Sequence, residues 1–188
     1  AVWANDNQTI FYSSQDEVTL RSDKIFKHKL GTKQDEDVLV YFEKDETYNV
    51  EVAKSKSRKY LAIESGSTLT TEYRILEADN PDGKFRVFQK RVRGLEYSIN
   101  HYGDSFYIMT NADKATNFKL MKTLETATSK ENWTEVVPHR EDVLLEDIEI
   151  FKDFLVVEER FNGLNRIRIM PWSGIGEYYL PFDSETYT

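Results

Sequence analysis

Short stretches in which apolar and polar residues alternate recur along this chain at a nearly constant spacing. Three of them contain Val50, Ile99 and Ile148, which stand about 49 positions apart. Alternation of this kind is typical of β-strands with one buried face. A fixed spacing in the range of about 20 to 50 residues indicates a repeated structural unit. The chain is therefore predicted to contain several copies of one β-unit.

Three further families of strand-like segments accompany the alternating one at the same step. The second family consists of continuous apolar runs, which suit strands covered on both faces. The third family alternates again, and the fourth is the weakest. Their members are residues 10–12, 60–63, 106–109 and 154–157, then 26–30, 73–75, 118–120 and 167–169, then 38–42, 85–88, 133–137 and 178–180. Four short strands per unit are the sequence form of a β-propeller blade.

The fold class predicted from this repeat is all-β, with about four consecutive four-stranded antiparallel blades of a β-propeller. The first blade is expected to lack its innermost strand. A β-sandwich is the alternative, although sandwiches rarely repeat an entire four-strand unit in register. The blades are placed at residues 1–42, 48–91, 97–137 and 145–182.

Turn residues agree with hairpins between these strands. Residues 80–83 (Asn-Pro-Asp-Gly) and Asn162-Gly163 supply residue types that tolerate positive φ. Residues 120–130 are the best helix candidate, but they are polar and rich in threonine. We interpret them as a strand followed by a loop.

Composition narrows the function classes. A net charge of −8 argues against nucleic acid or an anionic membrane as partner. The absence of cysteine excludes disulfides and thiolate chemistry and fits a reducing compartment, so a cytoplasmic location is expected, with the periplasm as alternative. No apolar run approaches the roughly 18 residues of a membrane span. Because Ala1 stands where an initiator Met would, we expect a segment of a longer protein.

No catalytic residue is predicted in this segment. The nucleophile of an α/β-hydrolase lies in a Gly-x-Ser-x-Gly turn, and the sequence has no such pentapeptide. The nearest candidates, residues 64–67 and 172–176, are predicted to be loops between blades. The three histidines, His28, His101 and His139, lack the spacing of a metal site, and no Gly-rich phosphate loop is present, so no metal and no cofactor are predicted. Acidic clusters at residues 35–37, 45–46 and 158–159 are interpreted as solvated loops.

Charged side chains are expected to gather on one face. In an up-and-down blade, the loop between strands two and three lies on the same side as the loop leading to the next blade. That geometry places four arginines and two glutamates together. They are Arg91, Arg93, Arg140 and Arg160, with Glu96 and Glu141. Because arginine pairs bidentately with carboxylates, these residues are candidates for an interdomain or gating interface; solvated surface charge is the alternative.

Residues 91–111 read RVRGLEYSINHYGDSFYIMTN and resemble the propeller of the oligopeptidase B family, which belongs with prolyl oligopeptidase. Residues 3–6, 11–12, 24–32 and 154–169 resemble the same propeller in the same order. The resemblance covers nearly the whole chain. It implies a parent enzyme in which a seven-bladed propeller caps an α/β-hydrolase domain and peptides are cleaved after Arg or Lys by a Ser-Asp-His triad.

None of those three catalytic residues would lie in this segment, and the α/β-hydrolase domain is absent from it. In the family the propeller admits short peptides and moves relative to the catalytic domain, so the resemblance implies a non-catalytic, substrate-gating segment. Its partners would be the parent's own catalytic domain and short peptide substrates. Exposed blade faces and strand edges would favour self-association of an incomplete ring. A stand-alone module that binds a peptide or protein is the alternative, and a gene continuing into a Gly-x-Ser-x-Gly domain would separate the two.

Overall fold

The computed structural model describes residues 1–182. Over that range the chain forms sixteen β-strands and short 3-10 turns, and it contains no α-helix. The strands of the first half are β1 Val2–Trp3, β2 Thr9–Gln15, β3 Ser22–Lys29, β4 Val38–Phe42, β5 Asn49–Lys54, β6 Tyr60–Gly66, β7 Thr71–Glu77 and β8 Arg86–Val87. Those of the second half are β9 Tyr97–Tyr102, β10 Ser105–Thr110, β11 Lys119–Leu124, β12 Thr134–Val137, β13 Val143–Ile150, β14 Phe154–Phe161, β15 Leu164–Pro171 and β16 Tyr178–Tyr179.

The strands assemble into four sheets of four strands, and each sheet uses consecutive strands in chain order. All pairings are antiparallel, so a short connection joins each strand to its neighbour. We call them the first (β1–β4), second (β5–β8), third (β9–β12) and fourth (β13–β16) sheets. This architecture confirms the all-β fold class and the four-strand repeat predicted from the sequence.

The first sheet contains an inner strand that the sequence pattern did not predict. Val2 lies opposite Phe11 and Trp3 lies opposite Ile10, so β1 pairs with β2 and completes the sheet. A two-residue strand is too short to show alternation. The expectation that this sheet lacks its innermost strand is therefore wrong.

The chain divides into two compact units, each with its own core. One comprises Ala1–Glu96 with Leu124–Asn132, and the other comprises Tyr97–Thr123 with residues 133–182. The buried core of the first unit contains Ala4, Phe11, Ile25, Val50, Leu61, Ile63, Leu76 and Ala78. That of the second contains Tyr107, Leu120, Val137, Leu145, Ile148, Ile150, Leu155 and Val157. Most of these side chains come from alternate positions of the predicted strands, as a half-buried strand requires.

The two predicted turns differ in backbone conformation. Asn162 and Gly163 both have positive φ, 50° and 80°, and join β14 to β15 as a tight hairpin. Residues 80–83 contain no positive φ, so that part of the expectation is wrong. Gly83 serves close packing instead, because a Cβ there would lie 2.9 Å from Leu76 Cδ1 and 3.1 Å from the Asn80 carbonyl oxygen.

Residues 124–132, which begin at the last residue of β11 and lead toward β12, pack within the first unit against the second sheet. Thr128 Oγ1 donates to the Phe88 carbonyl oxygen at 2.7 Å, and Arg86 Nη2 donates to the Glu125 carbonyl oxygen at 2.6 Å. Lys59 Nζ lies 2.6 Å from Glu125 Oε2. These bonds hold the segment against the second sheet.

The part of the chain that the structure describes has no helix long and apolar enough to cross a membrane.

Candidate functional site

Three loops of the first unit line one pocket of about 510 Å³. Residues 45–48 connect the first sheet to the second, residues 67–70 join β6 to β7, and residues 91–94 follow β8. These are the two kinds of loop that up-and-down topology places at one end of the sheets. Arg91 and Arg93 both line the pocket.

A buried carboxylate, Glu43, organises the base of these loops. Arg91 Nη2 donates to Glu43 Oε2 at 2.5 Å, and Ser65 Oγ donates to the same oxygen at 2.7 Å. Tyr41 OH donates to it at 2.8 Å, while the Asp45 backbone N–H donates to the other carboxylate oxygen at 3.0 Å. A carboxylate that receives four donors is held firmly in its charged form.

The pKa of Glu43 reflects this network. Burial alone would raise the pKa, but the hydrogen bonds from Arg91, Ser65, Asp45 and Tyr41 outweigh burial and lower it to about 2. Burial would likewise lower the pKa of Arg91, and the bond to Glu43 raises it. The pair is therefore fully charged at neutral pH.

The guanidinium of Arg91 is also stacked on an aromatic ring. Its Cζ lies 3.6 Å from the centroid of the Tyr48 ring, a cation–π contact. Arg91 Nη2 donates further to Ser65 Oγ at 2.8 Å, whereas its Nε is buried and has no partner among the described residues. Arg91 thus serves mainly to join the loop after β8 to the loop that enters β5.

Hydrogen bonds between side chains and the backbone connect the same loops. Arg21 Nη1 donates to the carbonyl oxygens of Tyr48, at 2.7 Å, and Asp45, at 3.2 Å. The Gly94 N–H donates to Thr70 Oγ1 at 3.0 Å. The loop of residues 91–94 is therefore bonded to the loop of residues 67–70, and Arg21 fixes the loop of residues 45–48.

Arg93 and Glu96, the other candidates in the first unit, do not take part in the Glu43 network. Arg93 is exposed, and its guanidinium has no hydrogen bond or ion pair within residues 1–182. Glu96 is partly buried at the end of the unit. The structure therefore brings Arg91 and Arg93 to one pocket, where Arg91 is committed to Glu43 and Arg93 is available.

Arg140 and Arg160 lie in the second unit, and each pairs with a nearby acid. Arg140 Nη2 is 2.9 Å from Asp142 Oδ2, and Arg160 Nη2 is 2.6 Å from Glu146 Oε1. Arg160 lies within strand β14 rather than in a loop, so that placement was wrong. Asn117 Nδ2 donates to the Arg140 and Glu141 carbonyl oxygens, which fixes the loop before β13.

Two acidic residues that the sequence suggested were solvated are buried. The Asp37 side chain is 4% exposed and accepts hydrogen bonds from Tyr12 OH and His28 Nδ1, both at 2.6 Å. Glu159 is 2% exposed; Arg168 and Tyr179 OH donate to it at 3.1 and 2.8 Å. Both carboxylates are therefore structural.

Of the histidines, His101 is buried and packs edge-on against Phe106, with ring centroids 4.8 Å apart.

No His, Asp or Glu group in the described range could hold a metal ion with three or more ligands.

Sequence reasoning missed the residues that build the pocket base. Ser65 lies in strand β6, not in a loop between blades, and Glu43 follows β4 with no motif to mark it. Residues 172–176 join β15 to β16 within one sheet, so they do not connect blades either.

Comparison with known proteins identifies the fold family. Residues 1–181 match the family model described as prolyl oligopeptidase, N-terminal β-propeller domain. The dipeptidyl aminopeptidase BI of Pseudoxanthomonas mexicana is 40% identical over 177 residues, 94% of this chain and 24% of that protein. Protease 2 of Moraxella lacunata is 32% identical over 169 residues, 89% of this chain and 24% of that protein.

Solved structures agree. Oligopeptidase B from Leishmania major superposes on 98% of this chain with a TM-score of 0.88 at 30% identity, and the match covers 27% of that chain. The closed form of oligopeptidase B from Trypanosoma brucei, with covalently bound antipain, gives a TM-score of 0.89 at 29% identity over 98% of this chain and 27% of that one. The chain spans about a quarter of the length of these relatives. It belongs to the prolyl oligopeptidase family of peptidases, as part of the N-terminal β-propeller domain.

Proposed function

We propose that this chain is the non-catalytic, substrate-gating propeller segment of a serine oligopeptidase that hydrolyses short peptides after Arg or Lys. The observation that carries the proposal is the match of residues 1–181 to the propeller domain, together with the likeness to oligopeptidase B over 98% of the chain. The T. brucei relative is described as a closed form with a covalently bound inhibitor. A closed form implies an open one, which supports a gating role, and a covalent adduct requires a nucleophile.

The arginines singled out from the sequence, three in loops and Arg160 in strand β14, are proposed as contacts with the catalytic domain. Arg93 supports this because it is exposed and available, and Arg140 and Arg160 carry half-exposed side chains that could exchange their present acidic partners. Arg91 would act indirectly, by holding the loop that carries Arg93. Glu96 follows on the same loop. Exposed ion pairs contribute little stability, about 0 to 1 kcal/mol, so such contacts can form and break as a gate moves.

Two properties of the full-length protein test the proposal. We expect kcat/KM for a fluorogenic tripeptide ending in Arg or Lys to exceed that for the matched peptide ending in Leu by about 100-fold or more, since buried charge recognition discriminates strongly. A long unfolded polypeptide containing the same Arg site should resist cleavage. Equal cleavage of the long and short substrates would contradict gating, and a preference for Leu would contradict the specificity.

The interface role has its own test. Arg93→Glu in the full-length protein should increase cleavage of the long substrate, because a broken interdomain contact favours the open state. Lys33→Glu makes the same charge change at an exposed position between β3 and β4, a connection of the other kind, and should leave cleavage unchanged. Identical behaviour of the two variants would contradict the interface.

A second activity has support in the sequence identities. The relative that is 40% identical is called a dipeptidyl aminopeptidase, whereas the oligopeptidase B structures are 29–30% identical. Such an enzyme would release dipeptides from the N-terminus. Blocking the N-terminal amine of the tripeptide would abolish that activity and leave oligopeptidase activity intact.

A further inference from the structure

The pocket of residues 45–48, 67–70 and 91–94 combines three kinds of surface. Leu69, which is 62% exposed, provides apolar contact area, whereas the Tyr48 ring is 8% exposed and lies beneath the Arg91 guanidinium. Thr47, Ser67, Thr68 and Thr70 provide hydroxyl groups. Arg93 provides a guanidinium. A small set of polar groups on an apolar wall is typical of pockets that bind small ligands, and about 510 Å³ falls within the usual range of roughly 300 to 1,000 Å³.

The charges around the pocket leave Arg93 without a counter-charge of its own. Glu43 receives Arg91, Ser65 and Tyr41 on a single oxygen. Asp45 Oδ1 receives the backbone N–H and the hydroxyl of Thr47, at 3.0 and 2.7 Å. Arg93 finds no partner in the described chain. The unmet need in this pocket is therefore for a hydrogen-bond acceptor, and a guanidinium selects a planar anionic one.

We propose that this pocket binds the free C-terminal carboxylate of a short peptide. Arg93 pairs with the carboxylate in the open state, when its contact with the catalytic domain is broken, and the last side chain lies against Leu69. The size of the pocket suits one or two residues. The proposal deepens the proposed function, since it rests on peptides being the substrates, and it names the end of the peptide that the propeller recognises. A pocket that requires a chain end would favour short peptides independently of any gate.

Binding of uncleavable probes to the full-length protein tests this directly. All probes carry an N-terminal acetyl group, which excludes the release of a dipeptide, and all lack Arg and Lys. The first two are Ala-Ala-Leu as the free acid and as the C-terminal amide, and Kd is measured by calorimetry. We expect the acid to bind at least 10-fold more tightly than the amide. Arg93→Gln should reduce that ratio to about one, Arg93→Lys should retain part of it, and the exposed control Lys33→Gln should leave it unchanged.

The proposal would be overturned by equal affinity for acid and amide in the unmodified protein, by a ratio that survives in Arg93→Gln, or by no binding of either probe. A third probe, Ala-Ala-Glu amide, tests whether the pocket reads any carboxylate. If it binds through Arg93 as tightly as Ala-Ala-Leu acid, the pocket recognises acidic side chains and the chain-end assignment is wrong.

The outcome is separable from that of the proposed function. Cleavage of Arg peptides with no difference between acid and amide would refute the carboxylate pocket and leave the peptidase assignment standing. An acid-to-amide ratio that depends on Arg93, in a protein that does not cleave after Arg or Lys, would refute the specificity and uphold the pocket.

Discussion

Arg91 and Glu43 stand 48 residues apart and meet at 2.5 Å, with the Arg91 guanidinium also lying on the Tyr48 ring. Glu43 follows the last strand of the first sheet, and Arg91 follows the last strand of the second. The pair therefore ties together two of the loops that line the pocket. Because the Glu43 side chain is only 7% exposed, its loss would leave Arg91 partly buried and unpaired.

Glu43→Gln is expected to loosen the pocket base by about 2 to 3 kcal/mol, since a charged hydrogen-bonded partner is replaced by a neutral one. Amide hydrogen exchange should show faster local opening at residues 43–48 and 91–95. Glu51→Gln alters an exposed glutamate of the same unit and should leave protection unchanged. Unaltered exchange at residues 91–95 in Glu43→Gln would show that the pair does not hold the loops.

Protection of the same loops should depend on pH. The pKa of Glu43 is about 2 in the folded chain and 4.5 ordinarily, so the folded state favours the charged carboxylate. Its contribution is fully present above about pH 5 and is lost as the pH falls toward 2, to a total of about 3 kcal/mol. The free energy of local opening, corrected for intrinsic exchange rates, should fall across that window. In Glu43→Gln this part of the pH dependence should vanish, and its persistence would assign it to another group.

Thr128→Val should release the segment at residues 124–132 from the second sheet. The substitution keeps the shape of the side chain but removes the donor to the buried Phe88 carbonyl oxygen, at a cost of about 1 to 2 kcal/mol. Limited proteolysis should then cut within residues 124–132 more rapidly. Thr128→Ser, which keeps the hydroxyl, and Thr116→Val, at an exposed threonine, should both resemble the parent. Equal cutting of the Val and Ser variants would contradict the role of the hydroxyl.

Gly163 should resist substitution for a conformational reason alone. Its φ is +80°, and a Cβ would meet nothing within 4 Å, so crowding plays no part. Gly163→Ala should lower stability by about 1 kcal/mol, and Gly163→Asn by less, because asparagine tolerates this region. The Tm of the two variants provides the measurement. If Ala and Asn lowered the Tm equally, side-chain strain at positive φ would not be the cause.

The sheets were predictable because each one repeats. Val50 and Ile148 were placed inward from their alternation and spacing, and they are 0% and 3% exposed. A one-residue register shift would turn such side chains to the other face, so the pattern specifies the strands strongly. The two-residue strand β1 was missed because it carries no such pattern. The equally short β8 and β16 lie within the predicted segments 85–88 and 178–180, which the repeat spacing marked.

The pocket was only partly predictable. Loop topology and charge identified Arg91 and Arg93 as candidate site residues on one face. The sequence did not reveal which residues pair with Arg91. Glu43 and Ser65 lie 48 and 26 residues from it and match no motif. Buried polar groups such as Asp37 and Glu159 escape pattern reasoning for the same reason: their burial is stabilised by donors that only the fold brings near.

The most direct test of the central claim locates the reactive serine of the full-length protein. A fluorophosphonate should label one serine and abolish hydrolysis of an Arg-ending peptide, and mass spectrometry should place the label outside residues 1–188, with the isolated segment unlabelled and inactive. A label within residues 1–188, for example on Ser65, would contradict the assignment of this chain as a non-catalytic propeller segment.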